Sequence, residues 1–409
     1  MGETPMMRVM TLAALAVALV YGTANAQQVN VKIGVLTDMS SLYADATGPG
    51  SVAAAKMAIA DFTRDHPEVK IELISGDHQN KPDVGSQLAA QWYDVDGVDV
   101  IVDVPNSGVA LAVSQITSQK NKVFVVSGAA TADLTGSKCN ANTVHWTYDT
   151  WMLANGTGKA MVTTGGDTWF FLTADYAFGY ALERDTTAVV EKNGGKVLGS
   201  VRHPLNTNDF SSFLLQAQTS KAKVIGLANA GGDTINAIKQ ASEFGVVKGG
   251  QKLAGLLVFA TDINALGLEV AQGLSLTETW YWDLNDASRV WTKRWHEVRG
   301  AADKYPAMNH AGVYAGILHY LKARLALGPG EHDGKSVVET MKAMATDDPL
   351  FGKGSVRVDG RVLHPAYLFE VKKPSESKYP GDFYKIRATI AGDDAFRPLD
   401  QGNCPLIKG

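Results

Sequence analysis

Apolar and polar positions fall in blocks along this chain. Short runs of β-branched and aromatic residues are each followed by a small polar loop, and then by apolar residues at helical spacing. The stretch Val98–Thr135 shows the pattern most fully. Val98–Val104 is a buried strand, Pro105-Asn106-Ser107-Gly108 a loop, and Val109, Leu111, Ala112, Val113 and Ile116 one face of a helix. Val123–Val126 is a second strand, followed by Ser127-Gly128-Ala129-Ala130-Thr131. Both loops lie at the carboxyl ends of strands, where open α/β sheets bind ligands. The first also opens a helix, whose free N–H groups and dipole favour an anion. This stretch is therefore expected to grip one end of a small anionic ligand.

The same rhythm covers most of the chain. Val29–Leu36 and Val69–Ile74 read as strands, with helices after Gly48-Pro49-Gly50-Ser51 and over Asp83–Tyr93. After a helical connector, Trp146–Gly158, the alternation restarts. Trp169–Thr173, Lys196–Val201, Val224–Leu227 and Leu256–Phe259 read as strands, each ending in small or polar loops. Leu274–Trp282 reads as a strand returning to the first half. Helical patterns over Ser288–Arg299, His310–Leu327 and Lys335–Ala345 precede a turn-rich segment, Asp347–Gly360, and late strands at Leu368–Val371 and Phe383–Ile390. Strand–helix alternation of this kind predicts parallel, doubly wound sheets, here an α/β fold in two lobes.

Composition adds constraints rather than changing this picture. The 409 residues suffice for two cored domains, and 45% hydrophobic with 20% charged residues is ordinary for a soluble globular chain. A formal net charge of -4 gives nucleic-acid binding no electrostatic support. Arg8, the apolar run Val9–Val20 and the Ala24-Asn25-Ala26 site form a secretory leader over residues 1–26, with cleavage expected before Gln27. A retained anchor is the other reading, but the run is short for a bilayer span. Export makes the even cysteine pair, Cys139 and Cys404, a candidate disulfide rather than two free thiols.

Four stretches carry a resemblance: VKIGVLTDMSSLYADATGPGSVAAAKMAIADF, VFVVSGAATADLTG, DTWFFLTADYAFG and GVYAGILHYLKA. Together, behind a leader, they resemble the periplasmic substrate-binding proteins of ABC importers, in the branched-chain amino acid and aromatic-compound group with the type I binding-protein fold. The resemblance spans the mature chain. It implies two doubly wound lobes joined by three crossings near 142–148, 273–279 and 348–356, closing on a ligand by a hinge motion. Lobe 1 is then 27–144 with 277–350, lobe 2 is 145–276 with 351–390, and 391–409 is a tail returning to lobe 1. The expected partners are a small organic acid and a membrane permease. A monomer in the periplasm is expected, with no cofactor and no metal.

The resemblance also implies residue roles. A ligand carboxylate meets Ser107, beside Asn106, in the first loop, and Gly128, Ala129, Ala130 or Thr131 in the second; the family's hydroxyl falls at Ala130 or one position on, at Thr131. These are equally N-cap and turn residues. Tyr43, Tyr176 and Phe178 sit where the family places cleft aromatics, or else belong to lobe cores. Asn229, Asp233 and Asp262 end second-lobe strands; in the amino-acid binders an acidic residue near the last of these holds the ligand ammonium, and Asp233 also reads as a helix cap. The loop at Asn229 carries Ala-Asn-Ala-Gly-Gly-Asp in place of a tyrosine, a departure that favours an aromatic carboxylate over an α-amino acid. A branched-chain amino acid, or a ligand-sensing role, is the alternative. In Trp280-Tyr281-Trp282, strand alternation turns either the two tryptophans or Tyr281 to the cleft. His310 and Tyr314 are further candidates. An enzyme is not expected: G-x-S-x-G, H-E-x-x-H, Walker A and C-x-x-C patterns are all missing, and the 9 histidines are scattered.

Overall fold

A computed structural model describes residues 1–2 and 29–407. All but the first two residues of the expected leader lie outside the described residues. The chain opens with β1 (Val29–Thr37), α1 (Gly48–Asp65), β2 (Val69–Asp77), α2 (Pro82–Asp94), β3 (Val100–Asp103), α3 (Ser107–Gln119), β4 (Val123–Val126) and β5 (Thr143–His145). Their strands form one parallel sheet in the order β2-β1-β3-β4-β5. Every residue of β3 and β4 is buried, as expected of continuous apolar strands covered by helices on both faces.

The chain then crosses at 146–149 and runs through α4 (Thr150–Leu153), a π-helical turn (Ala154–Gly158) and α5 (Lys159–Thr163). Next come β6 (Thr168–Ala174), α6 (Ala177–Lys192), β7 (Lys196–His203), α7 (Ser211–Thr219), β8 (Val224–Ala228), α8 (Gly232–Glu243), β9 (Lys252–Gly255), α9 (Ala260–Leu266), α10 (Leu268–Ala271) and β10 (Ser275–Glu278). Long helices α11 (Asp286–Arg299), α12 (Met308–Ala326) and α13 (Gly334–Ala343) return to the first lobe, where α1 packs on both α11 and α12. The short strands β11 (Thr346–Asp348), β12 (Gly352–Val356) and β13 (Val362–Leu363) form a small antiparallel sheet. Finally β14 (Ala366–Val371), β15 (Tyr384–Ile390) and the short α14 (Gly392–Ala395) lead to the tail. The second sheet runs β15-β14-β10-β9-β8-β6-β7, with β14 antiparallel to both neighbours.

Three expectations are corrected. Leu274–Trp282 does not return to the first lobe as a strand. Only Ser275–Glu278 is strand, and it lies in the second sheet, because Leu276 finds its apolar partner in Phe369 of β14. Leu256–Phe259 is not the strand either: β9 is the preceding Lys252–Gly255, and the apolar run is a buried loop. Residues 351–363 stay on the first-lobe side rather than joining the second. Lys342 of α13 donates to the Val358 carbonyl at 2.8 Å, and Arg361 bridges to His145 of β5. The third crossing therefore falls at 364–365, later than expected.

The tail returns to the first lobe. Cys139 and Cys404 form a disulfide, and Arg397 donates to the Ala132 carbonyl at 2.7 Å. At the crossings Arg361, fully buried, donates to the Thr147 and Tyr148 carbonyls at 3.0 and 3.4 Å and pairs with Asp149 at 3.3 Å.

Candidate functional site

Small strand-end loops from both lobes line a narrow cavity between them. The first lobe supplies Tyr43, Ala46 and Thr47 from the β1–α1 loop, Pro105 after β3, Gly128 and Ala130 after β4, and Asn309 from the first turn of α12. The second lobe supplies Tyr176, Phe178, Ala230, Leu257 and Phe259, and Tyr148 comes from the first crossing.

Tyr43 is held there by its own loop. The Asp38 carboxylate accepts from the backbone N–H groups of Ser41 at 2.9 Å and Tyr43 at 2.8 Å, and from the Asn80 amide at 2.6 Å. These charge-assisted bonds fix the turn that projects Tyr43 across the cleft. Its hydroxyl lies 2.6 Å from that of Tyr176. Nearby, the Gly232 N–H points at the Leu42 carbonyl at 3.5 Å, so the two lobes stand closed on each other. Burial first, then the adjacent Tyr176, push the Tyr43 phenol well above its ordinary value; burial raises Tyr176 likewise. Both phenols are therefore neutral donors. Two hydroxyls share one bond, which leaves the pair a second proton to offer.

Aromatic surface dominates the walls. Tyr176 and Phe178 lie 5.9 Å apart between ring centres, and Tyr148 meets Phe259 edge-on at 6.0 Å. The Tyr148 hydroxyl donates to the Gly128 carbonyl at 2.6 Å. Gly128 has no room for a side chain: a Cβ there would stand 2.7 Å from the Pro105 Cα and 2.8 Å from an Asp103 oxygen. Asp103 and Val104 both adopt positive φ, 82° and 56°, a strained turn of the kind that clusters at ligand sites. Burial raises the Asp103 carboxyl to about 6, against the hydrogen bond from the Ser127 hydroxyl at 3.0 Å.

The expected site residues divide. Tyr43, Gly128, Ala130, Tyr176 and Phe178 line the cavity. Asn106 does not: it caps α3, its oxygen accepting from Gly108 at 2.9 Å and Val109 at 3.1 Å. Those helix-start donors, expected to meet an anion, are thus already taken. Ser107 and Thr131 sit just behind the lining. Ser107 Oγ accepts from the Thr131 N–H at 3.2 Å, and Thr131 Oγ1 accepts from Asp133 at 3.3 Å, so each hydroxyl keeps its own proton for another bond. The Ala129 carbonyl binds His145 at 2.8 Å, also behind the wall.

On the second lobe, Asn229 is buried against His203 at 3.0 Å and Thr234 at 2.6 Å. Asp262 accepts from the Phe259 N–H at 3.0 Å and so fixes the loop that presents Phe259; burial raises its carboxyl to about 7. Tyr281 lies in the second-lobe core, donating to the Gly381 carbonyl at 2.5 Å and accepting from Phe383 at 3.0 Å. Trp280 packs edge-on against Trp291. His310 is neutral: Nδ1 accepts from Ala307, so Nε2 carries the proton and donates to the Thr47 carbonyl at 3.0 Å. Tyr314 donates to Asp61 at 2.7 Å, away from the cavity.

Asp233 lies close behind the phenol pair and its charge is felt by both. Burial raises it to about 7, against the Thr207 N–H donated to it at 2.8 Å. The lining itself contains no carboxylate and no cation among the described residues. Nor do the described residues contain a cluster of side chains suited to a metal ion, or a helix long and apolar enough to cross a membrane.

A sequence profile of the periplasmic binding protein family matches residues 30–378. The fold and sequence are similar to a periplasmic binding protein from Burkholderia mallei, 51% identical, with a TM-score of 0.89 over 93% of this chain and 99% of that one. A branched-chain amino acid ABC transporter periplasmic ligand-binding protein from Burkholderia xenovorans is 38% identical, with a TM-score of 0.81 over 92% and 99%. A solute-binding protein of an ABC transporter from R. palustris, in complex with 4-hydroxybenzoate, shares the fold at 22% identity, with a TM-score of 0.80 over 89% and 97%.

Proposed function

Because the chain belongs to the periplasmic binding protein family, a family of transport receptors rather than enzymes, we propose that it captures a small aromatic carboxylate and presents it to the permease of an ABC importer. One observation carries the ligand class. Five aromatic rings, Tyr43, Tyr148, Tyr176, Phe178 and Phe259, surround the interlobe cavity, and no acid lines it to receive an ammonium. A ring fits between such walls by stacking and edge contacts. The carboxylate is assigned to the Gly128–Thr131 loop, with the Ser107 and Thr131 hydroxyls behind it and the spare proton of the Tyr43–Tyr176 pair opposite. Asn106, Ala129, Asn229 and Asp262 shape these loops rather than touch ligand, and Tyr281 braces the second lobe. The receptor is monomeric and reaches the periplasm through a cleaved leader at 1–26.

The alternative, a branched-chain amino acid, is favoured by what the Burkholderia xenovorans relative is said to serve. It needs a partner for the ammonium, and the acids behind the lining, Asp103 and Asp233, are raised by burial to about 6 and about 7, which makes each a weak one near neutrality. Titration calorimetry with benzoate and its ring-substituted forms, beside leucine and valine, separates the two. Heat from the aromatic acids alone is expected. Leucine or valine binding while every benzoate fails reverses the assignment.

A further inference from the structure

The Asp103 carboxyl lies directly behind the wall assigned to the ligand carboxylate. A Cβ built on Gly128 would stand 2.8 Å from Asp103 Oδ1, and both Gly128 and Pro105 line the cavity. Asp103 is fully buried, with few partners. Its Oδ1 accepts one bond, from the Ser127 hydroxyl at 3.0 Å, and its Oδ2 has no hydrogen-bond partner among the described residues. No cation among the described residues contacts it. In the sheet its neighbours are Leu36 of β1 and Val126 of β4. Around its side chain, Thr37, Ser51 and Ser127 are uncharged, and the ionisable Tyr148 is kept neutral by burial. Helix α12 also packs on β3, but its His310 is neutral and bound to the Thr47 carbonyl, while its Tyr314 is bound to Asp61. The Asp38 carboxylate, after β1, is held by Ser41, Tyr43 and Asn80.

A buried carboxylate with one donor and no counter-ion is costly to keep ionised. Even so, with its value raised only to about 6, Asp103 is mostly ionised above neutral pH in the free protein. An anion held at Gly128 adds a like charge on the far side of a single glycine. At about 5 Å inside a protein, such a pair repels by roughly a hundredfold in an equilibrium constant. Protonation of Asp103 removes the conflict. We propose, on the reading that places the ligand carboxylate at the Gly128–Thr131 loop, that Asp103 takes up a proton from solvent each time an aromatic carboxylate binds and returns it when the ligand leaves. One negative charge enters with the ligand and one is neutralised at Asp103, so the buried charge of the site is unchanged. Because binding and protonation are linked, affinity for the anion falls as pH rises above the value at which free Asp103 ionises.

Titration calorimetry with benzoate, run at about pH 7.5 in phosphate and in Tris, counts the protons exchanged, because the two buffers release a proton with different heats. Uptake of more than about half a proton per benzoate is expected, with an association constant that falls by a factor of about five to ten from pH 7 to pH 8. Asp103→Asn keeps an acceptor for Ser127 and carries no charge; uptake there is expected to drop to near zero and the affinity to become flat over that range. Asp233→Asn is expected to retain the uptake. The infrared difference spectrum of the unaltered protein needs no variant: adding benzoate at about pH 7.5 should produce a protonated-carboxyl band. Benzoate binding without proton uptake or without that band overturns the proposal, and so does uptake that survives in Asp103→Asn or is lost in Asp233→Asn instead. Failure of benzoate and its ring-substituted forms to bind, with leucine or valine binding in their place, overturns the ligand class itself, a result distinct from benzoate binding with no proton exchanged.

Discussion

The hydroxyls of Tyr43 and Tyr176, one from each lobe, meet at 2.6 Å across the cleft. The contact exists only when the lobes are closed, so it acts on the closing equilibrium rather than on either lobe's fold. Tyr176→Phe keeps the ring and removes the bond. Ligand affinity is expected to drop by a few-fold to about tenfold, from a net bond of roughly 0.5–1.5 kcal/mol. Tyr43→Phe should do the same, and the double variant should cost little more than either, as a shared bond requires. Tyr176→Ala, which also removes a wall, should cost more. Calorimetry gives the affinities, and an unchanged melting temperature without ligand shows that the lobes are intact.

Gly231 carries the closing contact on the other side. It has φ 58°, and a Cβ there would stand 2.5 Å from the Leu42 carbonyl of the opposite lobe. Gly231→Ala is expected to weaken ligand binding by tenfold or more through a backbone clash that arises on closure. Small-angle scattering should show the variant remaining extended at ligand concentrations that compact the unaltered protein. Compaction equal to the unaltered protein would rule this out.

Stability should depend on pH through Asp262 and Asp233, both raised to about 7 by burial. A carboxyl whose folded value is raised contributes stability that is fully present below its unfolded value, near 4, and is lost as pH rises through the folded value. His78, His310 and His364, buried and lowered to about 4, act in the opposite sense between about 4 and 6.5, where the unfolded chain takes up protons and the folded one does not. The carboxyl effect should therefore stand clear between pH 6.5 and 8, as a fall in stability. Asp262→Asn keeps an oxygen for the Phe259 N–H and should flatten that fall in urea melts. An identical slope in the variant would remove Asp262 as its source.

The Cys139–Cys404 bond closes a loop with a sequence separation of 265. Reduction, or a Cys139→Ser, Cys404→Ser double variant, is expected to lower stability by up to roughly 5 kcal/mol on the chain-entropy estimate. Neither cysteine lines the cavity, so affinity in the folded protein should hold. Melts with and without reductant, and calorimetry at low temperature, read the two separately.

Much of this was legible in the sequence because strand, loop and helix repeat with distinct chemistry. The continuous apolar run Val123–Val126 is a buried parallel strand as read, and the loops after such strands place Tyr43, Gly128, Ala130, Tyr176 and Phe178 at one cavity. The misread parts share a cause. Leu256–Phe259 is apolar because it walls the cavity and the core, not because it pairs in a sheet. Tyr148 lies inside the expected first crossing but was hidden in an apparent helical connector. Asn309 carries no pattern at all, since a lone polar residue at the start of a helix reads as surface until its neighbours are known. The helix-start donors after Asn106 looked free because capping depends on a rotamer that sequence does not reveal.

Arg361, just before the third crossing, holds the first through the carbonyls of Thr147 and Tyr148 and the carboxylate of Asp149, with no exposed side-chain surface, and His364 within the third crossing binds the Trp146 carbonyl at 2.7 Å. Separating such a pair strands a charge away from water, so the bond outlasts the opening of the lobes. Three independent cords would let two bodies twist and slide as well as swing. Two cords stitched edge to edge make a ribbon, which resists twist and shear but bends easily across its width. The receptor should therefore travel between its two shapes along a single coordinate, and scattering curves across a ligand titration should reduce to two components, with a third appearing in Arg361→Met.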